Sequence, residues 1–331
     1  MRWAVHAALA GAIATAAPGL AAQPVADPVW AAALKAKRFA EVQTAASARI
    51  AARPEDLDAF AALINAALAG NDAAQRSAAL LQVESCVQRM PQAAVCHYGV
   101  GALLGAQAVN DGMVKAALYA GRIRDAFIKA AALDPSLYAA HSGLVQFYLV
   151  APGMIGGSVA KAGDAARVAA ARLPEHAKLL QALVAIERKE LAEAERLLAA
   201  MAVAAGDDEL SNDVAATWAA VGIAHMSAQQ PTKARPVFER LVREHPQQAI
   251  GHYGLARVHS DAGAWDLALA LLERCARLEG ADGLPVDYRL GIAWQAKGER
   301  NKARGAFTRF VTAGKGSSRS LDDAKKRLTE L

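Results

Sequence analysis

Residues 249–280 read AIGHYGLARVHSDAGAWDLALALLERCARLEG, and this stretch decides the fold. In its first half, apolar or aromatic residues follow each other at intervals of three, one and three: His252, Leu255, Ala256 and His259. Residues spaced in this way share one face of a helix. The stretch therefore predicts an amphipathic helix whose small residues allow a second helix to approach closely.

The same pattern occurs three times along the chain. The copies begin at Ala215, Ala249 and Leu284, so the repeat length is 34 and then 35 residues. In each copy a first helical stripe precedes a second one that combines alanine with a larger apolar side chain. These residues are Trp218, Val221, Gly222, His225, Ala234 and Phe238 in the first copy, Ala268 and Leu272 in the second, and Asp287, Leu290, Gly291, Trp294, Ala303 and Phe307 in the third. One helix pair cannot bury its apolar face alone, so the pairs are expected to stack.

These residues resemble the tetratricopeptide repeat family, whose signature places Trp, Leu-Gly, Tyr, Ala, Phe and Pro at fixed offsets. The match is specific over residues 215–310 and looser over residues 30–206. The chain is similar to periplasmic bacterial members, and residues 144–162 resemble a subgroup with a glycine-rich insertion inside one repeat. The resemblance implies an all-α fold, a right-handed α-solenoid of stacked antiparallel helix pairs. It implies no assigned activity.

Composition agrees with an all-α fold. The 331 residues are 54% hydrophobic and only 5% aromatic, so the apolar content is mostly alanine and leucine, which favour helices. The formal net charge is +5, and basic and acidic residues are interleaved along the chain. Such mixing is typical of solvated helix faces and disfavours a nucleic-acid surface.

Residues 1–22 predict a signal peptide. Arg2 precedes an uncharged, alanine-rich stretch over residues 3–17, and Ala21 and Ala22 suit a small-residue cleavage site. Cleavage after Ala22 places the mature protein in the periplasm or outside the cell. The alternative is an alanine-rich helix of the first repeat in a cytoplasmic adaptor. No later run is long and apolar enough to cross a bilayer, so no transmembrane segment is expected in the mature chain.

The remaining chain divides into three parts by the regularity of its repeats. Residues 23–212 are interpreted as degenerate helical repeats that end at intervals with proline, and residues 213–316 as regular repeats. Residues 317–331 predict a polar C-terminal capping helix, with Ser320 and Asp323 as its capping box.

Two of the three cysteines flank a proline. Cys86 and Cys96 lie five residues before and five residues after Pro91. If Pro91 separates two antiparallel helices, the side chains approach each other, and an oxidising compartment permits a disulfide between them. Two buried thiols are the alternative. Cys275 falls at a helix-packing position and is expected in the core.

No set of residues predicts catalysis, a cofactor or a metal site. The glycine-rich segment 151–158 (APGMIGGS) lacks the Gly-Lys-Ser/Thr of a nucleotide loop. His252 and His259 are seven residues apart rather than four, and His225 matches His259 in the repeat, so packing roles are favoured over metal ligation. A small-ligand or catalytic pocket that uses segment 151–158 is an alternative function.

The resemblance also implies where a partner binds. In this family the first helix of each pair lines a concave groove, with the residues beside the packing stripe pointing inward. On this chain the groove residues would be Ala219, Ile223, Met226, Tyr253, Arg257, Asp261, Tyr288, Ile292 and Gln295. Tyrosine and arginine are effective contact residues, so the expected function is a non-enzymatic scaffold that binds a peptide or helical segment of an envelope protein. The Lys and Asn arrangement with which chaperone-binding relatives clamp a terminal carboxylate is missing.

Overall fold

The structure, a computed structural model, describes residues 23–70, 72–204 and 206–331, apart from the side chains of residues 110, 113, 114, 208 and 209. The predicted signal peptide, residues 1–22, lies outside the described residues. The described part holds seventeen α-helices, two short 3₁₀ turns and no β-strand beyond one isolated bridge between Gln248 and Glu279. It divides into two compact units, residues 23–188 (the first unit) and residues 189–331 (the second unit).

Each unit is a run of helices joined by short connections. The first unit contains α1 (Pro28–Lys35), α2 (Phe39–Ala52), α3 (Leu57–Ala69), α4 (Ala73–Arg89), α5 (Ala94–Asp111), α6 (Met113–Leu133), α7 (Tyr138–Val150), α8 (Val159–Ala169) and α9 (Pro174–Glu187). The second unit contains α10 (Leu191–Ala199), α11 (Asp208–Ser227), α12 (Pro231–Glu244), α13 (Ala249–Asp261), α14 (Trp265–Cys275), α15 (Val286–Ala296), α16 (Arg300–Ala313) and α17 (Ser318–Glu330). Among the described helices, none has the length and apolar composition that crossing a membrane requires.

Within each unit the helices form pairs that stack. Each helix packs on the next one along the chain, and the first helix of a pair also packs on the first helix of the following pair. These second contacts join α3 to α5, α5 to α7 and α7 to α9 in the first unit, and α11 to α13 in the second. Because the connections are short, neighbouring helices run antiparallel. The predicted all-α fold of stacked helix pairs is confirmed.

The last helix begins differently from the sequence prediction. Ser317 Oγ accepts a hydrogen bond from the Ser320 backbone N–H at 3.1 Å, so Ser317 is the N-cap and α17 begins at Ser318. The predicted capping box of Ser320 and Asp323 is wrong. Asp323 is one turn into the helix, where its carboxylate bonds Tyr288 and Arg327 instead.

A phenylalanine packed against two glycines joins two helix pairs of the second unit. A Cβ atom on Gly222 would lie 2.6 Å from Phe238 Cζ, and one on Gly254 would lie 2.1 Å from Phe238 Cδ1. Gly222 belongs to the same helix pair as Phe238 and Gly254 to the next pair. The ring therefore fills the space of two missing side chains and fixes one pair against the next.

The first unit contains the same contact although its sequence is irregular. A Cβ atom on Gly101 would lie 2.9 Å from Phe127 Cδ1, and one on Gly143 would lie 2.4 Å from Phe127 Cε1. Phe127 belongs to α6, between the two glycine-bearing helices α5 and α7. The irregular part of the chain thus keeps the central packing contact of the regular repeats.

Candidate peptide-binding face

Four of the nine predicted groove residues lie in the core of the second unit. Ala219, Ile223, Met226 and Tyr253 are each 6% exposed or less. Their helices α11 and α13 pack on each other as well as on their own pair partners, so more of each helix is covered than one stripe. These four side chains offer a partner almost no surface.

The other five predicted residues reach the surface to different extents. Asp261 is exposed, while the remaining four are half-buried: Arg257, Tyr288, Ile292 and Gln295. All five lie on α13 and α15, the first helices of the last two pairs. The accessible part of the predicted groove is therefore confined to these two helices.

The C-terminal helix α17 covers one side of this face. Tyr288 Oη donates to Asp323 Oδ2 at 2.8 Å, and Arg327 Nε donates to the same oxygen at 2.6 Å. Arg327 Nη1 also donates to Gln295 Oε1 at 2.7 Å. Burial acts to raise the pKa of Asp323, but the hydrogen bonds from Arg327 and Tyr288 outweigh it and hold the pKa below its usual range. Tyr288 and Gln295 are thus bound within the chain.

Two arginines carry the positive charge of the accessible face. Arg257 and Arg289 are half-buried, and among the described residues neither forms an ion pair. Arg289 Nε is buried without a hydrogen-bond partner. Burial lowers the pKa of the Arg257 guanidinium and the charge of Arg289 lowers it further, whereas Tyr253 and the carboxylate of Asp261 act to raise it. Because arginine stays protonated in proteins, two positive charges lie close together in a partly desolvated place.

The Arg289 side chain lies near Tyr253 of α13 and Tyr288 of α15. Burial acts to lower the pKa of the Arg289 guanidinium, but Tyr253, Tyr288 and Asp261 outweigh it and raise the pKa. Arg289 Cζ lies 5.8 Å from the centroid of the Tyr288 ring, so the cation lies against an aromatic surface. A planar guanidinium held in this way can bind a carboxylate or phosphate through two parallel hydrogen bonds.

The histidines of the repeats serve helix packing. His225 is buried; its Nε2 lies 2.6 Å from Glu195 Oε1 and its Nδ1 lies 3.2 Å from Gln230 Oε1, which ties α10 and the start of α12 to α11. His252 is also buried, and burial lowers its pKa. In the part of the chain that the structure describes, no cluster of three or more His, Cys, Asp or Glu side chains could hold a metal ion.

The glycine-rich segment 151–158 forms a closed turn. A Cβ atom on Gly157 would lie 1.6 Å from the Ala151 carbonyl oxygen, and Gly156 has a φ of +107°, so both positions require glycine. The backbone N–H groups of Gly156, Gly157 and Ser158 donate to carbonyls of Gly153, Pro152 and Tyr148. Since these amides are used within the turn, they do not point toward a ligand.

Two of the three cysteines are joined by a disulfide, and the third is buried. Cys86 at the end of α4 and Cys96 at the start of α5 form a disulfide, with Cα atoms 5.8 Å apart. Cys275 is buried, and its Sγ donates to the Ala249 carbonyl at 3.5 Å. Burial raises the pKa of the Cys275 thiol to about 12, so almost no thiolate forms near neutral pH.

Solved structures of other proteins share this architecture. Yeast Tom70 superposes with a TM-score of 0.61 at 13% identity, over 88% of this chain and 58% of that one. Human IFIT1, solved with PPP-AAAA, gives 0.52 at 13% identity, over 83% and 62%. The chain has the tetratricopeptide repeat fold. The Cut9–Hcn1 hetero-tetramer of the APC/C, another such match, gives 0.51 at 16% identity, over 90% and 54%.

At these identities the likeness to other tetratricopeptide repeat structures shows the fold alone. The chain spans 54% to 62% of the length of the three proteins. No family model matches the sequence, and no curated protein sequence matches it significantly.

The tetratricopeptide repeat pattern missed Arg289. The pattern assigns groove positions to residues 288, 292 and 295, and Arg289 is the neighbour of the first of them. A signal was present nonetheless: the equivalent positions of the two preceding copies hold Ala220 and Gly254, so a small residue is replaced by a long cation only in the third copy. A charged residue at a position that is otherwise small is the pattern that could have identified it.

Proposed function

We propose that the chain is a non-enzymatic interaction scaffold whose second unit binds an acidic peptide or helical segment through Arg257 and Arg289. The observation that carries this proposal is a half-buried pair of arginines that forms no ion-pair contact among the described residues and has one carboxylate, Asp261, acting on both charges. One carboxylate leaves a net positive charge in a partly desolvated place, and a second anion would compensate it. A carboxylate between the guanidinium groups would form charge-assisted hydrogen bonds to both.

The residues around the pair favour a protein ligand over a small anion. Ile292 lies on α15 one turn from Arg289 and is half-buried, so it offers apolar contact beside the charges. Asp261 is exposed one turn from Arg257; its carboxylate acts on the two arginines, and its exposed side would contact a basic residue next to the partner's carboxylate. A mixed face of this kind fits a segment in which acidic, apolar and basic side chains alternate.

We also propose that the chain is exported and that its partner is an envelope protein. The predicted signal peptide at residues 1–22 supports this, and the disulfide between Cys86 and Cys96 suits an oxidising compartment. Intact mass of the native protein tests export. A chain that begins at Gln23 and carries the disulfide is expected, while an intact Met1 with two free thiols would contradict export.

Capture from an envelope extract of the host, with the mature chain as bait, tests binding at the arginine pair. The variant Arg257→Gln, Arg289→Gln is expected to retain the partner at least tenfold less, because buried arginine contacts rank among the strongest at interfaces. Tyr253→Phe should weaken retention less, since it removes the hydroxyl near Arg289 but keeps the ring in the core and both arginines in place. Retention should also fall as salt is raised.

The matched control is Arg309→Gln in the same unit. Arg309 is exposed and already paired with Asp287 at 2.7 Å, so its loss removes one positive charge without touching the proposed site. A synthetic peptide from the captured protein, and its counterpart with Glu replaced by Gln, then separates charge recognition from shape. Equal retention by the double variant and the control would refute the arginine site.

A further inference from the structure

Residues 23–27 (QPVAD) form a segment outside any helix or strand that lies against α3. The Gln23 backbone N–H donates to Asn65 Oδ1 at 2.9 Å, and Asn65 Nδ2 donates back to the Gln23 carbonyl at 2.7 Å. The backbone N–H groups of Ala26 and Asp27 donate to Asp58 Oδ1 and Oδ2 at 2.5 and 3.0 Å. Two side chains of α3 thus satisfy four backbone groups of one segment.

The spacing of these two side chains matches an extended backbone. Asp58 and Asn65 are seven residues apart on α3, which is about 10 Å along a helix axis. Gln23 and Ala26 are three residues apart, and an extended chain covers about 10 Å over three residues. Since Gln23 meets the later residue of α3 and Ala26 the earlier one, the segment runs antiparallel to the helix.

Side chains of the segment alternate between the helices and solvent. Pro24 and Ala26 are exposed, whereas Gln23 is buried and Val25 packs against the core of the first unit. The Gln23 side chain also reaches α5, where its Nε2 donates to the Val95 carbonyl at 3.5 Å. The helices therefore contact the backbone and every second side chain, as a site for an extended peptide does.

We propose that Asp58 and Asn65 form a binding site for an extended peptide, and that residues 23–27 are its resident, tethered ligand. The site takes a segment with an apolar side chain at its third position and free backbone N–H groups at its first and fourth. A tethered segment acts at an effective concentration in the millimolar range, so it masks the site from free peptides. The site belongs to the first unit and is independent of the arginine pair.

A test of peptide binding at Asp58 and Asn65 requires a variant that detaches residues 23–26 and leaves the two side chains unchanged. Ala26→Pro removes the N–H that donates to Asp58, at an exposed position whose preceding residue, Val25, is outside any helix. Asp27 still caps α1 through the Val29 N–H and still pairs with Arg49, so α1 stays in place. Only residues 23–26 are released.

The probe is a fluorescent, N-acetylated QPVAD peptide, and its binding to the mature chain is measured by anisotropy. The Ala26→Pro chain is expected to bind the peptide at least tenfold more tightly than the unchanged chain, because its tethered competitor lacks a hydrogen bond to a charged acceptor. Asn65→Ala on the Ala26→Pro background should abolish binding. The control Asn212→Ala, in the second unit, should not change it, and a QPVPD peptide should fail to bind.

Three results would overturn the proposal: equal affinity of the Ala26→Pro and unchanged chains, no binding to the Ala26→Pro chain, or binding that survives Asn65→Ala. Hydrogen exchange on chains without the proline gives an independent readout. The amide of Ala26 should exchange at least tenfold faster in the Asn65→Ala chain than in the unchanged chain. Unchanged exchange would also overturn the proposal, and neither result bears on Arg257 and Arg289.

Discussion

Phe127 in the first unit and Phe238 in the second unit occupy equivalent places. Each ring fills the space beside two glycines on neighbouring first helices, and a Cβ atom on either later glycine, Gly143 or Gly254, would lie within 2.4 Å of the ring. The two units are therefore built around the same contact, although only the second one shows a regular repeat in its sequence.

The faces that the two units present are different. In the first unit Asp58 and Asn65 bind the chain's own residues 23–27. In the second unit Arg257 and Arg289 form no ion-pair contact among the described residues and share the influence of one carboxylate, Asp261. The packing stripe therefore specifies the fold of both units, while residues beside the stripe set the polar groups that each unit presents.

Replacing either central phenylalanine with alanine is the strongest test of their equivalence. Phe127 and Phe238 are both buried, so Phe127→Ala and Phe238→Ala should each lower the free energy of unfolding by about 3–5 kcal/mol. Urea titration followed by circular dichroism measures the loss. If Phe127→Ala cost less than about 1 kcal/mol while Phe238→Ala cost the full amount, the first unit would not share the packing of the second.

The disulfide distinguishes the units, because Cys86 and Cys96 have no counterpart in the second one. The bond closes a loop across a sequence separation of 10 residues, and a loop of this size contributes about 2–3 kcal/mol by restricting the unfolded chain. Cys86→Ala, Cys96→Ala should therefore destabilise the first unit by that amount. Reductant should have the same effect on the unchanged chain and none on the double variant.

Much of the fold could be predicted from the sequence because helix periodicity is local. The positions of Leu255, Gly222 and Phe307 on their helices follow from spacing alone. The same contact in the irregular first unit could not be predicted from spacing, because Gly101 and Phe127 lie 26 residues apart whereas 16 residues separate Gly222 and Phe238. Longer α5 and α6 helices absorb the difference without changing the contact.

Substituting the glycines tests the same contact with smaller effects. Gly143→Ala and Gly254→Ala should each cost about 1–3 kcal/mol, because the added methyl group overlaps a fixed phenylalanine ring. Gly121 and Gly105 are matched controls: both are helical, and an added Cβ would meet nothing within 4 Å. Alanine there should stabilise the chain by up to about 1 kcal/mol. Similar values for tests and controls would mean that glycine is present for another reason.

The candidate sites were less predictable than the fold because they depend on contacts between distant residues. The predicted groove set included Tyr253, which in fact lies in the core, near Arg289. Asn65 binds a residue 42 positions earlier, and nothing in a repeat pattern connects the two. A buried polar side chain such as Asn65 indicates a contact with a distant segment. Burial can be recognised only once the helices are assembled, so the sequence alone does not show it.

Mild acid should destabilise both units, and we expect this change in stability to be smaller than those of the substitutions above. His141 in the first unit and His252 in the second are buried, and burial lowers the pKa of each. The unfolded chain, with histidine pKa values near about 6.5, then binds more protons than the folded chain at mildly acidic pH. The stability that the neutral buried histidines contribute is fully present above about pH 6.5, and it is lost as the pH drops from there through the lowered pKa of the folded state. The measurement is the free energy of unfolding as a function of pH, and His141→Gln and His252→Gln should each reduce the slope of this curve in mild acid. If only one variant reduced the slope, the units would differ in their cores as well as in their faces.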